Sequence, residues 1–271
     1  MASLESHAAS LEDSLIPQLS FKFGPSSSYV TERRGISLYA AGSNIYSAAS
    51  GTRVVRIPIN AESSFIDPSS ATLFFRVNNN DATTQTSTNI TRMQALGQAH
   101  VLFKSARILL QGQVAEEIQD FGRVYEQLLR LTDPQYQKQY AAQSFGLQDS
   151  SPEDYFDLRA ARKLKPGTSK TVGMPLSIFG LFGQHRFLPT GLMNMVCELT
   201  LQDPALCCRA GNLVDGSLTT THTTNDITLD AFVLKVDALT LDSQLMEEYN
   251  RMALTKTIPL SYKTWHHTSF T

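Results

Sequence analysis

The stretch VGMPLSIFGLFGQHRFLPTGLMNMVCELTLQD (172–203) is the most apolar part of the chain and the part most heavily punctuated by Gly and Pro. A membrane-spanning helix needs about 20 consecutive apolar residues. Gln184, His185, Arg186, Pro189 and Asn194 interrupt this run, so it reads as a soluble segment. Its second half has a period of two: Met195, Cys197, Leu199 and Leu201 alternate with Val196, Glu198, Thr200 and Gln202. That alternation predicts a half-buried strand with the first set facing a core. In the first half, Pro175 and Pro189 bracket bends at Gly180 and Gly183. Proline cannot donate to a sheet ladder, so these positions are strand starts, edges or connections.

Outward from this stretch the same signals recur. On the N-terminal side, TRVVRIPIN and ATLFFRVNN are short β-rich runs separated by a turn signal at Asp67-Pro68-Ser69. Leu73, Phe75 and Val77 share one face and Phe74 and Arg76 the other. NNNDATTQTSTN is a polar loop. HVLFKSARILLQG then resumes strand character with Ala106, Ile108 and Leu110 on one face, and Gln111-Gly112 turns into QVAEEI as a hairpin. DFGRVYEQLLRLTDP breaks the pattern: Phe121, Val124, Tyr125, Leu128 and Leu129 follow helical spacing, ended by Asp133-Pro134. SPEDYFDLRAARKL opens with Ser151 as cap and Pro152 at the first helical position, which predicts a second short helix. On the C-terminal side, CCRAGNLVDGSLTTTHTTND reads as a loop and ITLDAFVLKVDALTL as a long strand. LDSQLMEEYNRMAL reads as a helix capped by Asp242 with Leu245, Tyr249 and Met252 on one stripe, and TIPLSYKTWHHTSFT as a further strand. About eight strands fall between Thr52 and Leu241, with helices only in insertions. The class is all-β, an eight-stranded jelly-roll sandwich with short helical insertions.

Composition agrees. The chain has 271 residues, and only 18% are charged, below the usual quarter. Much of the surface is therefore neutral and polar, which suits packing against neighbours. The formal net charge of −2 comes with no long basic run, which argues against a direct duplex-binding role and sequence-specific nucleic acid binding. Three cysteines without C-x-x-C spacing argue against a disulfide framework and a zinc site. The start MASLESHAASLEDSLIPQLS lacks the apolar core of a secretory signal. Residues 1–50 read as an arm, in which Leu15, Ile16, Phe21 and Phe23 are the candidate assembly residues, because exposed apolar groups are usually claimed by a partner.

The order RIPIN, FIDPSSATLFFRV, LFKSARILLQGQVAEEIQDFGRVYEQLLRL, MPLSIFGLFGQHRFLPTGLMNMVCELTLQD and DSQLMEEYNRMA resembles the first half of double jelly-roll major capsid proteins of virophages and polinton-like viruses. The likeness covers roughly 51–271 and lies in the order and spacing of loose motifs. It implies a structural protein of an icosahedral DNA-virus capsid, located in the virion shell. Subunits would form homotrimeric, pseudo-hexameric capsomers that contact neighbouring capsomers and minor capsid proteins, with no cofactor. It implies that Pro175, Pro189 and Gly191 shape strand ends, that 51–240 is the first roll, and that 241–271 holds the connecting helix and the first strand of a second roll whose remainder is absent after Thr271. The alternatives are a single-roll minor capsid protein at a vertex and a carbohydrate-binding or hydrolytic jelly roll. A hydrolytic or sugar-binding domain would be expected to show aromatics on a concave face, and the one tryptophan, Trp265, lies in the terminal run.

Nothing catalytic stands out. PGTSKT (166–171) lacks the glycines of a phosphate-binding loop and reads as a strand connection. His266 and His267 would point to opposite faces of a strand. Cys207-Cys208 reads as buried and inert thiols. Asn89-Ile90-Thr91 is an idle glycosylation match. The pairs Glu116-Glu117 and Glu247-Glu248 read as solvated carboxylates, and the chain is expected not to be an enzyme.

Overall fold

Period-two alternation generates most of the architecture. In the computed structural model the described residues are 30–49, 51–61, 65–80, 89–145, 163–164, 167–191, 193–214, 217–222, 226–255 and 260–265. The strands are β1 (Val30–Tyr39), β2 (Ile45–Tyr46), β3 (Val54–Ile59), β4 (Phe65–Asn79), β5 (Asn89–Ala95), β6 (Phe103–Leu110), β7 (Gln113–Gln119), β8 (Lys163–Leu164), β9 (Ser169–Pro175), β10 (Met195–Leu201), β11 (Cys208–Val214), β12 (Ser217–His222) and β13 (Ile227–Leu241). The helices are α1 (Phe121–Arg130), α2 (Pro134–Gln143), α3 (Pro204–Cys207) and α4 (Ser243–Thr255), with a 3-10 turn over Ala99–Leu102.

Eight strands, β1, β3, β4, β6, β7, β9, β10 and β13, build two antiparallel sheets. One has the order β1-β13-β4-β9, with β2 also paired to β13; the other has the order β3-β10-β6-β7. In terms of position along the roll these orders are first-eighth-third-sixth and second-seventh-fourth-fifth, the wrapped order of a jelly roll. The inner faces meet in one core. Leu73, Phe75, Val77, Val172, Met174, Phe232 and Leu234 come from the first sheet, and Val55, Ile57, Ala106, Ile108, Cys197 and Leu199 from the second. Phe75 stacks on Phe232 with ring centroids 5.1 Å apart and meets Phe103 edge-on at 5.3 Å. The connections after the third, fifth and seventh roll strands supply β5, β8, β11 and β12. These form a small third sheet, ordered β12-β11-β5-β8.

Several local expectations are met. Leu73, Phe75 and Val77 are buried, and β10 buries Met195, Cys197, Leu199 and Leu201. Gln111 and Gly112 both have positive φ, the two-residue hairpin turn whose twist matches its strands. Asp242 accepts from the Gln244 amide at the start of α4. There Leu245 and Tyr249 pack on Phe65, Leu239 and Leu241.

Others are corrected. The roll begins before residue 51, because β1 pairs with β13 from Val30 to Tyr39. The strand count between Thr52 and Leu241 was therefore one too many for the roll, and the boundary of the arm at 50 cuts off its first strand. Asp67-Pro68-Ser69 is a bulge inside β4, not a turn. Register against β13 jumps between Lys235 and Asp237, and Asp67 accepts from the Ser69 amide while Ser70 Oγ accepts from the Asp237 amide. Asp133-Pro134 starts a helix as well as ending one: the Asp133 carboxylate caps the Gln135 amide, with Pro134 at the first position of α2. The stretch 208–222 read as a loop contains β11 and β12. In the terminal run, 260–265 is described and forms no ladder. The helix expected from Ser151 lies outside the described residues, except that Lys163 and Leu164 are strand.

Candidate assembly surfaces

The outer face of the β3-β10-β6-β7 sheet carries its polar residues in a transverse row. Pairing sets Arg56 opposite Glu198, Glu198 opposite Arg107, and Arg107 opposite Glu117. Signs thus alternate across four strands, the favourable cross-strand arrangement. Glu198 is only 5% exposed. One carboxylate oxygen lies 2.6 Å from Arg56 Nε and the other 2.5 Å from Arg107 Nε. The next row along is apolar: Pro58, Val196, Leu109 and Val114 lie at matching register, and Val114 is 50% exposed.

The outer face of the other sheet is also stapled by arginines. Arg76 grips the Asp230 carboxylate with two hydrogen bonds, 2.7 and 2.9 Å, and holds it below the usual aspartate range. Arg33 bridges Asp67 and Asp237 at 2.8 and 2.9 Å. Lys235 sits over the Phe74 ring, 5.1 Å from its centroid, and Tyr39 stands exposed beside them on β1. β1 is an edge strand, and Glu32, Arg33 and Arg34 lie along it, charges that discourage indiscriminate edge pairing.

A third surface is a seam on the β7 side. The connection after β9 turns inward and buries Leu176, Ile178, Phe179, Leu181, Phe182 and Leu188. Glu116, 2% exposed, accepts from the Gly180 amide at 2.8 Å, the Leu181 amide at 3.1 Å and the Thr264 hydroxyl at 3.0 Å. Tyr262 donates to the Ala115 carbonyl at 2.7 Å. The segment 260–265 therefore lies along β7 and over the bend at Gly180, where a Cβ would fall 1.5 Å from the Lys263 carbonyl oxygen. The reading of Glu116 as a solvated acid is corrected: it pairs with Ile108, as Ile118 pairs with Ala106, and so shares the inward face of β7, where the connection after β9 covers it. Alternation with Ile118 places it on that face, but the segments that cover it there come from elsewhere in the chain.

The candidate arm residues Leu15, Ile16, Phe21 and Phe23 lie outside the described residues, as do His266 and His267. Cys207 and Cys208 are buried with sulfurs 3.8 Å apart, and burial pushes the Cys197 thiol up to about 12, so these thiols are packing groups. Ser169–Pro175 is β9, so the second half of PGTSKT is strand. Glu247 and Glu248 are exposed on α4, where Glu248 lies 3.8 Å from Arg251. Among the described residues no cluster of His, Cys, Asp and Glu could hold a metal, and no helix is long and apolar enough to cross a membrane.

These features define an eight-stranded jelly roll whose two sheet faces are cross-linked by ion pairs. Comparison with solved structures finds the same fold. A chain in the cryo-EM structure of the Sputnik virophage aligns over 82% of this chain and 50% of its own, with a TM-score of 0.50 and 6% identity. The quasi-atomic model of the PBCV-1 virus capsid aligns over 84% of this chain and 46% of its own, with a TM-score of 0.44 and 14% identity. The Faustovirus major capsid protein aligns over 90% and 59%, with a TM-score of 0.45 and 8% identity. The chain spans about half the length of these proteins. No family model and no curated protein matches it.

Proposed function

We propose that this chain is a capsid building block, the N-terminal roll of a double jelly-roll major capsid subunit. Three such subunits would associate as a homotrimeric, six-sided capsomer, which would tile an icosahedral shell around a DNA genome alongside neighbouring capsomers and minor capsid proteins. The observation that carries this reading is the strand order of the two sheets followed by α4 and the seam segment 260–265. It is supported by a fold likeness to a virophage chain of about twice the aligned length. The function in this reading is shape. Ion-paired, low-charge sheet faces make a stiff block, and assembly buries apolar rows that one subunit leaves exposed.

Residues 1–29, with Leu15, Ile16, Phe21 and Phe23, would serve as an arm that docks on a neighbouring subunit. Electron microscopy of the purified full-length protein tests the proposal. Six-sided particles of three subunits, or shells, are the expected result. Five-fold rings would assign the chain to a vertex, and uniform monomers at high concentration would defeat the capsid reading.

A further inference from the structure

We infer that the roll carries an oxyanion-binding site at the end where its connections converge, a pocket that takes a phosphate or sulfate ester group. A cavity of about 490 Å³ opens there, lined by residues from four separate connections. Arg53 precedes β3, Lys104 begins β6, Arg123 lies in the first turn of α1, and Gln202 and Asp203 follow β10. This volume lies within the usual range of small-ligand sites.

The state of the cations marks the site. The arginines on the sheet faces, Arg33, Arg56, Arg76 and Arg107, each have a carboxylate within 3 Å. Arg53, Lys104 and Arg123 line one cavity, and among the described residues none of the three side chains has an ion pair or a hydrogen bond. Two acids share the cavity. Asp203 is committed to the Ala205 amide as the cap of α3, and Asp120 holds the N-cap position of α1, where its side chain makes no cap hydrogen bond. Three cations thus face two carboxylates, and the positive end of a ten-residue helix adds to the excess. Guanidinium groups present paired donors matched to tetrahedral oxyanions, and the lysine adds a mobile point charge. The rest of the lining includes the apolar residues Ala48, Ala49, Leu201, Pro204 and Leu206. Leu206 is 62% exposed, which gives the carbon skeleton of an ester something to rest on. This site does not depend on the capsid reading.

Calorimetric titration of the intact protein tests it, with tripolyphosphate as the phosphate probe and a heparin-derived hexasaccharide as the sulfate probe. Saturable binding of either probe at one site per chain is expected, weakening as salt rises. Arg53→Gln and Arg123→Gln should each weaken it roughly tenfold. Arg34→Gln, which removes an exposed cation on β1, should leave it unchanged. Binding of tripolyphosphate alone identifies a phosphate source and binding of the hexasaccharide alone a sulfated glycan; both support the site. Absence of saturable binding by either probe, or equal loss in the Arg34→Gln control, would overturn it. Should one arginine variant fail to fold, Lys104→Gln supplies the same comparison.

Discussion

The most consequential single residue is Glu116, because three donors from two separate segments converge on one buried carboxylate. Glu116→Ala would leave the Gly180 and Leu181 amides without an acceptor in a buried seam. A loss of roughly 3 kcal/mol is expected from the cost of unsatisfied donors and lost charge-assisted bonds. Urea unfolding reads it directly, and an unchanged midpoint would mean that the seam contributes nothing. Gly180→Ala tests the other side of the seam. Its methyl group would collide with the Lys263 backbone, so 260–265 must lift off while the two sheets stay intact. Hydrogen exchange should rise at 260–265, with little change in the core strands. At Glu198 the expected effect is intermediate. Arg56 and Arg107 keep much of their solvent contact, so Glu198→Gln should cost about 1 kcal/mol. Leu199→Asp, one residue along and facing the core, should abolish soluble folding, because an unpaired buried charge costs as much as much of a domain's stability.

Among the elements, α1 docks by both packing and polar contacts. Phe121, Tyr125 and Leu129 are buried, and the His100 ring lies flat on Tyr125 with centroids 4.6 Å apart. His100 Nδ1 is 3.0 Å from the Tyr140 hydroxyl and Nε2 is 3.0 Å from Glu126, so one imidazole ties together the 3-10 turn, α1 and α2. The bond to His100, assisted by Arg130, holds the Glu126 carboxyl below the usual glutamate range. A depressed folded value means that this contribution is present above the unfolded value, about 4.3, and is lost as pH falls through the folded one. Glu126→Gln should therefore flatten the acid limb of stability. Urea midpoints measured from about pH 6 down to about pH 3 check this; an unchanged limb would show that Glu126 plays no part in it. β13 is as long as β4, 15 residues each, and its parity changes at Ala231, with φ of 50°. Ile227 and Leu229 point inward before it and Phe232, Leu234 and Val236 after it, so one extra residue lets a single strand serve the core along its whole length.

In the whole molecule the two ends of the roll differ. Val30 and Leu241 pair at one end of the first sheet, so β1 begins where β13 ends and α4 follows. The cavity with Arg53, Lys104 and Arg123 lies at the other end, near β2 and the start of β13. Deleting residues 1–29 should spare the roll, since β1 begins at Val30. Thermal unfolding should change little while particle formation fails. Normal particles from the deletion would remove the arm from the assembly mechanism. Deleting residues 1–50 is a different experiment, because it also removes β1 and exposes the β13 edge. That variant is expected to unfold or aggregate.

The period-two runs at β4, β6 and β10, the hairpin at Gln111-Gly112 and the helical stripe of α1 were all legible because each depends on neighbours in sequence. Their order was enough to name the class and to suggest the viral double roll. What only the tertiary structure decided was everything that depends on a partner strand. β1 reads as an arm because its own burial pattern is weak; it becomes a strand through pairing with β13, some 200 residues away. Asp67-Pro68-Ser69 has turn chemistry in either setting, and only the register of β13 makes it a bulge. Glu116 and Glu198 look alike as polar residues in strands. Two cross-strand arginines hold one on an outer face and three donors hold the other in a seam, because a buried carboxylate persists only where charges or N–H groups from elsewhere in the chain surround it. The cations of the cavity are scattered from 53 to 123, and wrapping the roll brings the ends of its connections together. Periodicity is a local property and proximity is not, which divides what the sequence determined from what the fold had to supply.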